Sequence, residues 1–466
     1  MTMTKRVLFS AMAAMSSLEA FCVARFPKPD FDSGYQYPDI EHPVPWENFW
    51  NILDIVLLTG MMGIVAWAIH KKESRKAIFC VSIISVLYFG FFRNGCVCSV
   101  GSLQNVVLAF TDPTYNLPWF VLLLFILPIV FTLIFGRVFC AGVCPLGALQ
   151  EIVNIKNFRI SRAVSQALSV IPWIYLGFAI LYAATRSQFI ICRFDPFIGI
   201  FRFGGDIGMI VFGITLLLLS MVVARPFCQF LCPYGALLSI FGKFAIKKME
   251  VTRKGCINCT LCHNSCPVDA LRPPYANKQK EERSAGVKRL IMYFLILPII
   301  TAACSFLVGL NSENLSRANK DVHLYDMIQA QEENPDMEMP MEVVAFHELG
   351  NSVDELAAKV DDIQKQFSIY SYIVGALIGF VIGIKLINLS VKRTRKTYEI
   401  DYSACVACGK CFDYCPQNMS PLTHSSRSAF FLRKASKDDK LAKNGGIHTE
   451  KTEKGAPYPP KEELIE

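Results

Sequence analysis

Eight of the chain's 18 cysteines fall into two runs of one form, CINCTLCHNSCP at Cys256 to Pro267 and CVACGKCFDYCP at Cys405 to Pro416. Cys-x2-Cys-x2-Cys-x3-Cys-Pro is a spacing that holds [4Fe–4S] clusters, three cysteines of a run binding one cluster and the fourth reaching the other. A zinc site needs only pairs of cysteines, and a disulfide framework repeats neither this spacing nor its trailing proline. The candidate ligands of two [4Fe–4S] clusters are therefore Cys256, Cys259, Cys262, Cys266, Cys405, Cys408, Cys411 and Cys415. Exchange of the fourth ligand puts one cluster on Cys256, Cys259, Cys262 and Cys415, and the other on Cys405, Cys408, Cys411 and Cys266. Two separate modules, each using its own four cysteines, are the alternative.

A second repeat pairs FCAGVCPLGAL (Phe139 to Leu149) with FCQFLCPYGAL (Phe227 to Leu237). Cysteines four apart share one face of a helical turn, and the proline after the second marks a backbone break of the kind that lets a chain wrap a cofactor. Cys140, Cys144, Cys228 and Cys232 are candidates for a third iron–sulfur or metal site; two dithiols in redox exchange are the rival reading. Cys80 and Cys304 read as small hydrophobes. Upstream of each pair by one helix stand Cys96 and Cys98 in RNGCVCSVGS and Cys192 in ICRFDPF. These three are candidates for a metal or cofactor, or for a redox-active disulfide, with Arg93, Arg193 and Arg202 favouring thiolate. A structural disulfide with one leftover thiol is equally open.

The elements that must position these residues are membrane helices. The chain is 53% hydrophobic and 18% charged, with long uncharged stretches, the composition of a membrane protein. Segments near 49–70, 77–92, 118–136, 166–185, 207–224, 289–309 and 369–390 are about as long as the roughly 20 residues that a bilayer core demands. The fold class expected is mainly α: a polytopic helical membrane protein of about seven spans, with a small cytosolic α+β two-cluster ferredoxin-like module split in sequence. Residues 1–24 read as a signal peptide or short anchor, 25–48 as an outer proline-rich segment, and 49–245 as the membrane domain with its internal repeat. The first run lies in 246–288, a membrane hairpin with an acidic outer segment (311–368) in 289–390, and the second run in 391–423. The polar, charged tail 424–466 reads as disordered.

Starting outside, this topology places the lysine- and arginine-rich segments 71–76, 137–165, 225–288 and everything after Val391 in the cytoplasm, as the positive-inside rule requires. A reducing compartment also keeps thiolates available for iron. Membrane crossing between the inner and outer cysteines would span about 30 Å of hydrocarbon. Gly375, Gly379 and Gly383, four apart on the last span, line a face for close helix contact within the chain, with a dimer face as the alternative. Only His70 lies near a membrane helix, so no haem with two axial histidines is expected. Neither a P-loop nor a dinucleotide fingerprint occurs, so no nucleotide is expected, and no nucleic-acid partner.

From about Arg93 to Pro274 the chain resembles the membrane polyferredoxins of the NapH/NosR type, on the paired Cys-x3-Cys-Pro motifs and the run that begins at Cys256. The resemblance implies an electron carrier or oxidoreductase subunit of the bacterial inner membrane, rather than a stand-alone enzyme. Such a protein passes electrons between a quinol or cytosolic donor and a partner reductase. The chain departs from that pattern in displacing the second run behind two added crossings, and in lacking a sizeable flavin-binding domain ahead of the membrane part. The alternative function is metal reduction or cofactor assembly, as in the related membrane ferredoxins that reduce copper, with the outer cysteines receiving the metal. A redox sensor signalling through the tail is a third reading.

Overall fold

The computed structural model describes residues 48–95, 97–155, 158, 160–250, 259–272, 274, 283–334, 339–350, 352–390 and 398–415. The expected signal peptide or anchor, all but Asn48 of the outer proline-rich segment, and the tail lie outside the described residues, as do Cys96 and Cys256. Two units divide the chain, residues 1–413 and 414–466; of the second, only Tyr414 and Cys415 are described.

Helices account for nearly all regular structure in the first unit. Helix α1 (Asn48–Trp67) runs on through a π-helical turn to Lys72, and α2 (Arg75–Ser85) through another to Phe92. Then come α3 (Ser99–Thr111), α4 (Trp119–Phe135), α5 (Pro145–Val153), α6 (Ile171–Ala184), α7 (Ile207–Val222) and α8 (Pro233–Lys243). Two long helices complete the set, α9 (Arg283–Leu310) and α10 (Val353–Ser390). Every segment expected to span the membrane is helical. Five are long and apolar enough to cross a bilayer, whereas α4 and α7, at 17 and 16 residues, are shorter. Helix α3 has no counterpart in the expected spans.

The hairpin of α9 and α10 shows how lipid-facing sequence is read. Helix α9 turns Ile291, Phe294, Leu295, Ile299 and Phe306 outward, which is favourable only where the surroundings are as apolar as the side chains. Its contact with α10 is made by the expected glycine stripe. A Cβ on Gly379 would lie 2.7 Å from Thr301 Cα, and one on Gly375 2.6 Å from the Cys304 carbonyl oxygen, so only glycine permits this approach. The stripe therefore packs within the chain. Helix α10 is continuous through both the expected amphipathic helix at 353–366 and the expected span at 369–390. Its 38 residues reach about 57 Å at 1.5 Å per residue, well beyond a 30 Å core. The extra length packs with Lys320–Glu333 and Met341–Glu348 around Val322, Ile328, Val343, Phe346, Leu356 and Val360, a small core separate from the main one.

Among the described residues one two-stranded antiparallel sheet lies beside the helices, β1 (Leu271–Arg272) with β2 (Glu399–Ile400), in the register Leu271 to Ile400 and Arg272 to Glu399. It joins the chain just after the first cysteine run to the chain just before the second.

Candidate iron–sulfur centres

Sheet pairing brings the two runs together. Asp401 N–H donates to the Ala270 carbonyl at 2.8 Å, and Arg272 Nη2 lies 2.5 Å from Asp401 Oδ2. The Asp401 carboxyl, though burial works against its charge, is held below its ordinary value by Ser403 and Arg272. Cys262 sits in the short helix Leu261–Ser265, and Cys266 follows it in extended backbone, its Sγ accepting from Ala270 N–H at 3.3 Å. Cys266, Cys405, Cys408 and Cys411 line one cavity. Burial pushes the Cys405 thiol up to about 12, and the nearby Cys408 and Cys266 act in the same direction. A crowded set of buried thiols that resists losing its protons to water suits a metal centre, which takes the protons' place. This is the grouping expected from exchange of the fourth ligand. Of the other expected set, Cys259 and Cys262 are described in the first unit and Cys415 belongs to the second.

The Cys-x3-Cys-Pro elements build a second candidate centre. Each begins with a sharp reversal after a membrane helix, at Gly136 (φ +79°) after α4 and at Arg225 (φ +50°) after α7. Cys140 lies in the π-helical turn Phe139–Val143 and Cys228 in the short helix Pro226–Phe230. Cys144 and Cys232 are extended residues that begin α5 and α8, with the following proline at the first helical position, where its missing N–H costs nothing. The proline thus starts a helix; the cysteines four apart do not share one continuous helical face. Cys140 acts by its charge on Cys144, Cys228 and Cys232, Cys228 on Cys144 and Cys232, and Cys232 on Cys144. The N-termini of α5 and α8, two helices of 9 and 11 residues, both point at the thiols, an end that favours negative charge.

Side chains that sequence reasoning missed complete this centre. Arg137 and Arg225 each stand three residues before the first cysteine of their repeat, and both are buried. Arg137 Nη2 lies 3.9 Å from Cys140 Sγ and 3.2 Å from the Gly235 carbonyl, while its Nη1 donates to the Ser403 carbonyl at 3.1 Å. Arg225 donates to the Cys140 and Ala141 carbonyls and, from Nε, to Glu151 at 3.1 Å. Its charge acts on both Cys228 and Cys408. Gln150, fully buried, accepts from Phe227 N–H at 3.1 Å and donates to Cys228 Sγ at 3.6 Å. The shared Arg-x2-Cys spacing and the glutamine six residues after Cys144 were the available signals.

Glu151 ties the two centres. Burial works against its charge, yet Arg225, Lys410 and Arg75 more than offset this and hold its carboxyl down to about 2. Lys410 belongs to the second run, so a carboxylate of the membrane part and a cation of the ferredoxin part share one buried network.

The four membrane thiols and two guanidiniums fit an iron–sulfur cluster in donor chemistry, charge and burial. A single tetrahedral ion needs its sulfurs roughly 3.8 Å apart. Among the described residues no three Cys, His, Asp or Glu side chains close on one ion.

At the outer end of the repeat, Cys98 begins α3 and Cys192 lies in Ile190–Arg193. The expected separation of about 30 Å from the inner cysteines does not hold. Cys98, Asp195 and Cys144 line a single cavity, because the reversals after α4 and α7 fold the cysteine elements back into the helix bundle. His70, the one histidine near a membrane helix, hydrogen-bonds the Phe135 carbonyl at 3.1 Å.

Comparison with known proteins agrees with this arrangement. The family described as "4Fe-4S binding domain" matches twice, at residues 117–162 and 206–251, over the two Cys-x3-Cys-Pro elements. A second family of that description matches residues 398–419, over the second run. The regulatory protein NosR of Stutzerimonas stutzeri is 26% identical over 266 residues, covering 49% of this chain and 35% of NosR. Protein NirI of Paracoccus denitrificans is 28% identical over 254 residues, covering 49% of this chain and 37% of NirI. An uncharacterised protein of Methanocaldococcus jannaschii is 28% identical over 191 residues, covering 39% of this chain and 77% of that protein. The chain thus spans only about a third of the length of NosR and NirI. No solved structure matches significantly. With its repeated 4Fe-4S binding domains on an apolar helical frame, the chain is a membrane-associated iron–sulfur protein similar to NosR and NirI.

Proposed function

We propose that this protein carries electrons between a ferredoxin module on the cytoplasmic side of a bacterial inner membrane and a centre embedded in its helical frame. The redox partners at either end are a quinol or cytosolic donor and a partner reductase. One ferredoxin cluster is held by Cys266, Cys405, Cys408 and Cys411, and the other by Cys256, Cys259, Cys262 and Cys415. The membrane centre is held by Cys140, Cys144, Cys228 and Cys232. The observation that carries this reading is the position of Arg137, which reaches Cys140 Sγ and the Ser403 carbonyl from one buried guanidinium. When bound, the clusters supply one-electron transfer with little structural change.

The chain's own residues do the rest. Arg137 and Arg225 offset the negative charge of the thiolates from inside a low-dielectric frame, where a nearby cation acts strongly. Glu151, Lys410 and Arg75 hold the ferredoxin part against that frame. Orientation with both runs cytoplasmic is supported by the basic segments 71–76, 137–165 and 225–288.

The test is iron and acid-labile sulfide per chain on anaerobically purified protein, with EPR after dithionite, in wild type and Cys228→Ser. Loss of about four irons and one EPR species in the variant, with the ferredoxin signals kept, supports the reading. An unchanged iron content would make the membrane cysteines dithiols or structure.

A further inference from the structure

We propose that Cys98, Cys192 and Asp195 form a further iron–sulfur site at the outer end of the repeat, built on the same frame as the inner centre. It rests on the reading of the inner cysteines as a cluster site, and it adds a centre that no family match covers.

The two places share four features in register. Cys98 is the extended residue that begins α3, as Cys144 begins α5 and Cys232 begins α8. Its Sγ accepts from Gly101 N–H at 3.4 Å, as Cys232 Sγ accepts from Gly235 N–H at 3.2 Å. The glycine three residues on then faces a cysteine of another element. A Cβ on Gly101 would lie 3.1 Å from Cys192 Sγ, and a Cβ on Gly147 3.4 Å from Cys228 Sγ. Six residues on stands a fully buried glutamine, Gln104 in one case and Gln150 in the other. Each accepts the backbone N–H just before the facing cysteine, Ile191 at 3.0 Å and Phe227 at 3.1 Å. Cys98 thus stands where Cys144 stands, and Cys192 where Cys228 stands.

Gln104 separates a cofactor site from mere structural symmetry. In the inner centre the Gln150 amide donates to Cys228 Sγ at 3.6 Å. The corresponding Gln104 Nε2 is buried and has no hydrogen-bond acceptor among the described residues. A buried donor left without an acceptor is costly and uncommon. An acceptor that fits this register is sulfur, from the thiolate of Cys192 or from a cluster beside it.

Asp195 supplies a third ligand. It follows Cys192 by three residues and precedes Pro196, so Cys-x2-Asp-Pro stands where the inner repeats have Cys-x3-Cys-Pro. It lines the same cavity as Cys98, and Cys144 lines that cavity too, so the two centres are neighbours. Cys192 is exposed, placing one edge of this site within reach of an outer redox partner.

The experiment counts iron and sulfide in anaerobic full-length protein for wild type, Cys192→Ser, Asp195→Asn and Cys228→Ser, with EPR. The expected result is that Cys192→Ser loses one cluster's iron, about two to four atoms, and one EPR species. The species removed by Cys228→Ser should remain. Asp195→Asn should shift or lose the same species as Cys192→Ser. Full wild-type iron in both Cys192→Ser and Asp195→Asn overturns the proposal; if Cys228→Ser also keeps its iron, the inner-cluster reading falls separately. Without any substitution, a membrane-impermeant maleimide should alkylate Cys192 at least tenfold more slowly before iron chelation than after. Equal rates, or a Cys98–Cys192 disulfide in freshly isolated protein, overturn it as well.

Discussion

Lys410, immediately before Cys411, places its Nζ 2.8 Å from Oε1 of Glu151, seven residues after Cys144. The same carboxylate receives Arg75 at 2.8 Å and Arg225 at 3.1 Å, and all four groups are largely buried. One anion thus organises three cations between two sets of thiols. This contact ties Lys410, between Cys408 and Cys411, to the membrane frame.

Glu151→Gln leaves three cations without their common partner. Removing one member of a buried ionic network costs about 3–5 kcal/mol, so a lower thermal midpoint is expected, with loss of the ferredoxin EPR signals on mild heating. The pH dependence follows from the depressed carboxyl, about 2 against an ordinary 4.5. A carboxyl lowered on folding stabilises fully above its unfolded value and loses that contribution as pH falls through the folded one. The gap between wild type and variant should therefore be the same at pH 7 and pH 5.5, and narrow only below about 4.5. A gap that closes between pH 7 and 5.5 would remove Glu151 from this role.

Cys266 lies in the first run yet lines the cavity of Cys405, Cys408 and Cys411. Cys266→Ser should alter the g-values or lability of the cluster of the second run, and Cys259→Ser the other. EPR of the two variants, each compared with Cys408→Ser, decides the assignment. Matching spectra for Cys266→Ser and Cys259→Ser would restore two independent modules.

Arg137 touches Cys140 and the backbone beside Cys405. Removing a positive charge favours the oxidised state of an adjacent cluster. A hydrogen bond from a charged donor is worth about 1.5–3 kcal/mol, so Arg137→Gln should lower a midpoint potential by roughly 60–130 mV, one electron and about 59 mV per tenfold change. An EPR-monitored redox titration reads the shift; Arg137→Lys should recover part of it.

Gly379 meets Thr301 with no room for a side chain. Gly379→Leu should force α9 and α10 apart, expose the linking helices to protease, and lower the thermal midpoint. Iron content should stay unchanged, since the hairpin contributes no candidate ligand. A variant as protease-resistant as wild type would mean that the helices do not pack through this stripe.

Much of this protein was legible in its sequence because its chemistry is written in local spacing. A cluster-binding run must present thiols at fixed intervals, so Cys405, Cys408 and Cys411 could be read without a fold. A bilayer demands long apolar stretches, so all seven helical segments could be found, although their lengths divide them into five long and two short. The glycine stripe of α10 likewise declared a close helix contact.

What the spacing could not contain is which distant residues meet. Pairing of β1 with β2 across the inserted hairpin brings Cys266 to the second run. The left-handed turns at Gly136 and Arg225 send the paired cysteines back into the helix bundle, which sets Cys144 beside Cys98 instead of a bilayer's width away. Arg137, Arg225, Gln150 and Glu151 look in sequence like ordinary polar residues at a helix border. Only folding buries them, and a buried charge must find partners, so tertiary packing alone turns four unremarked side chains into the connection between two groups of cysteines.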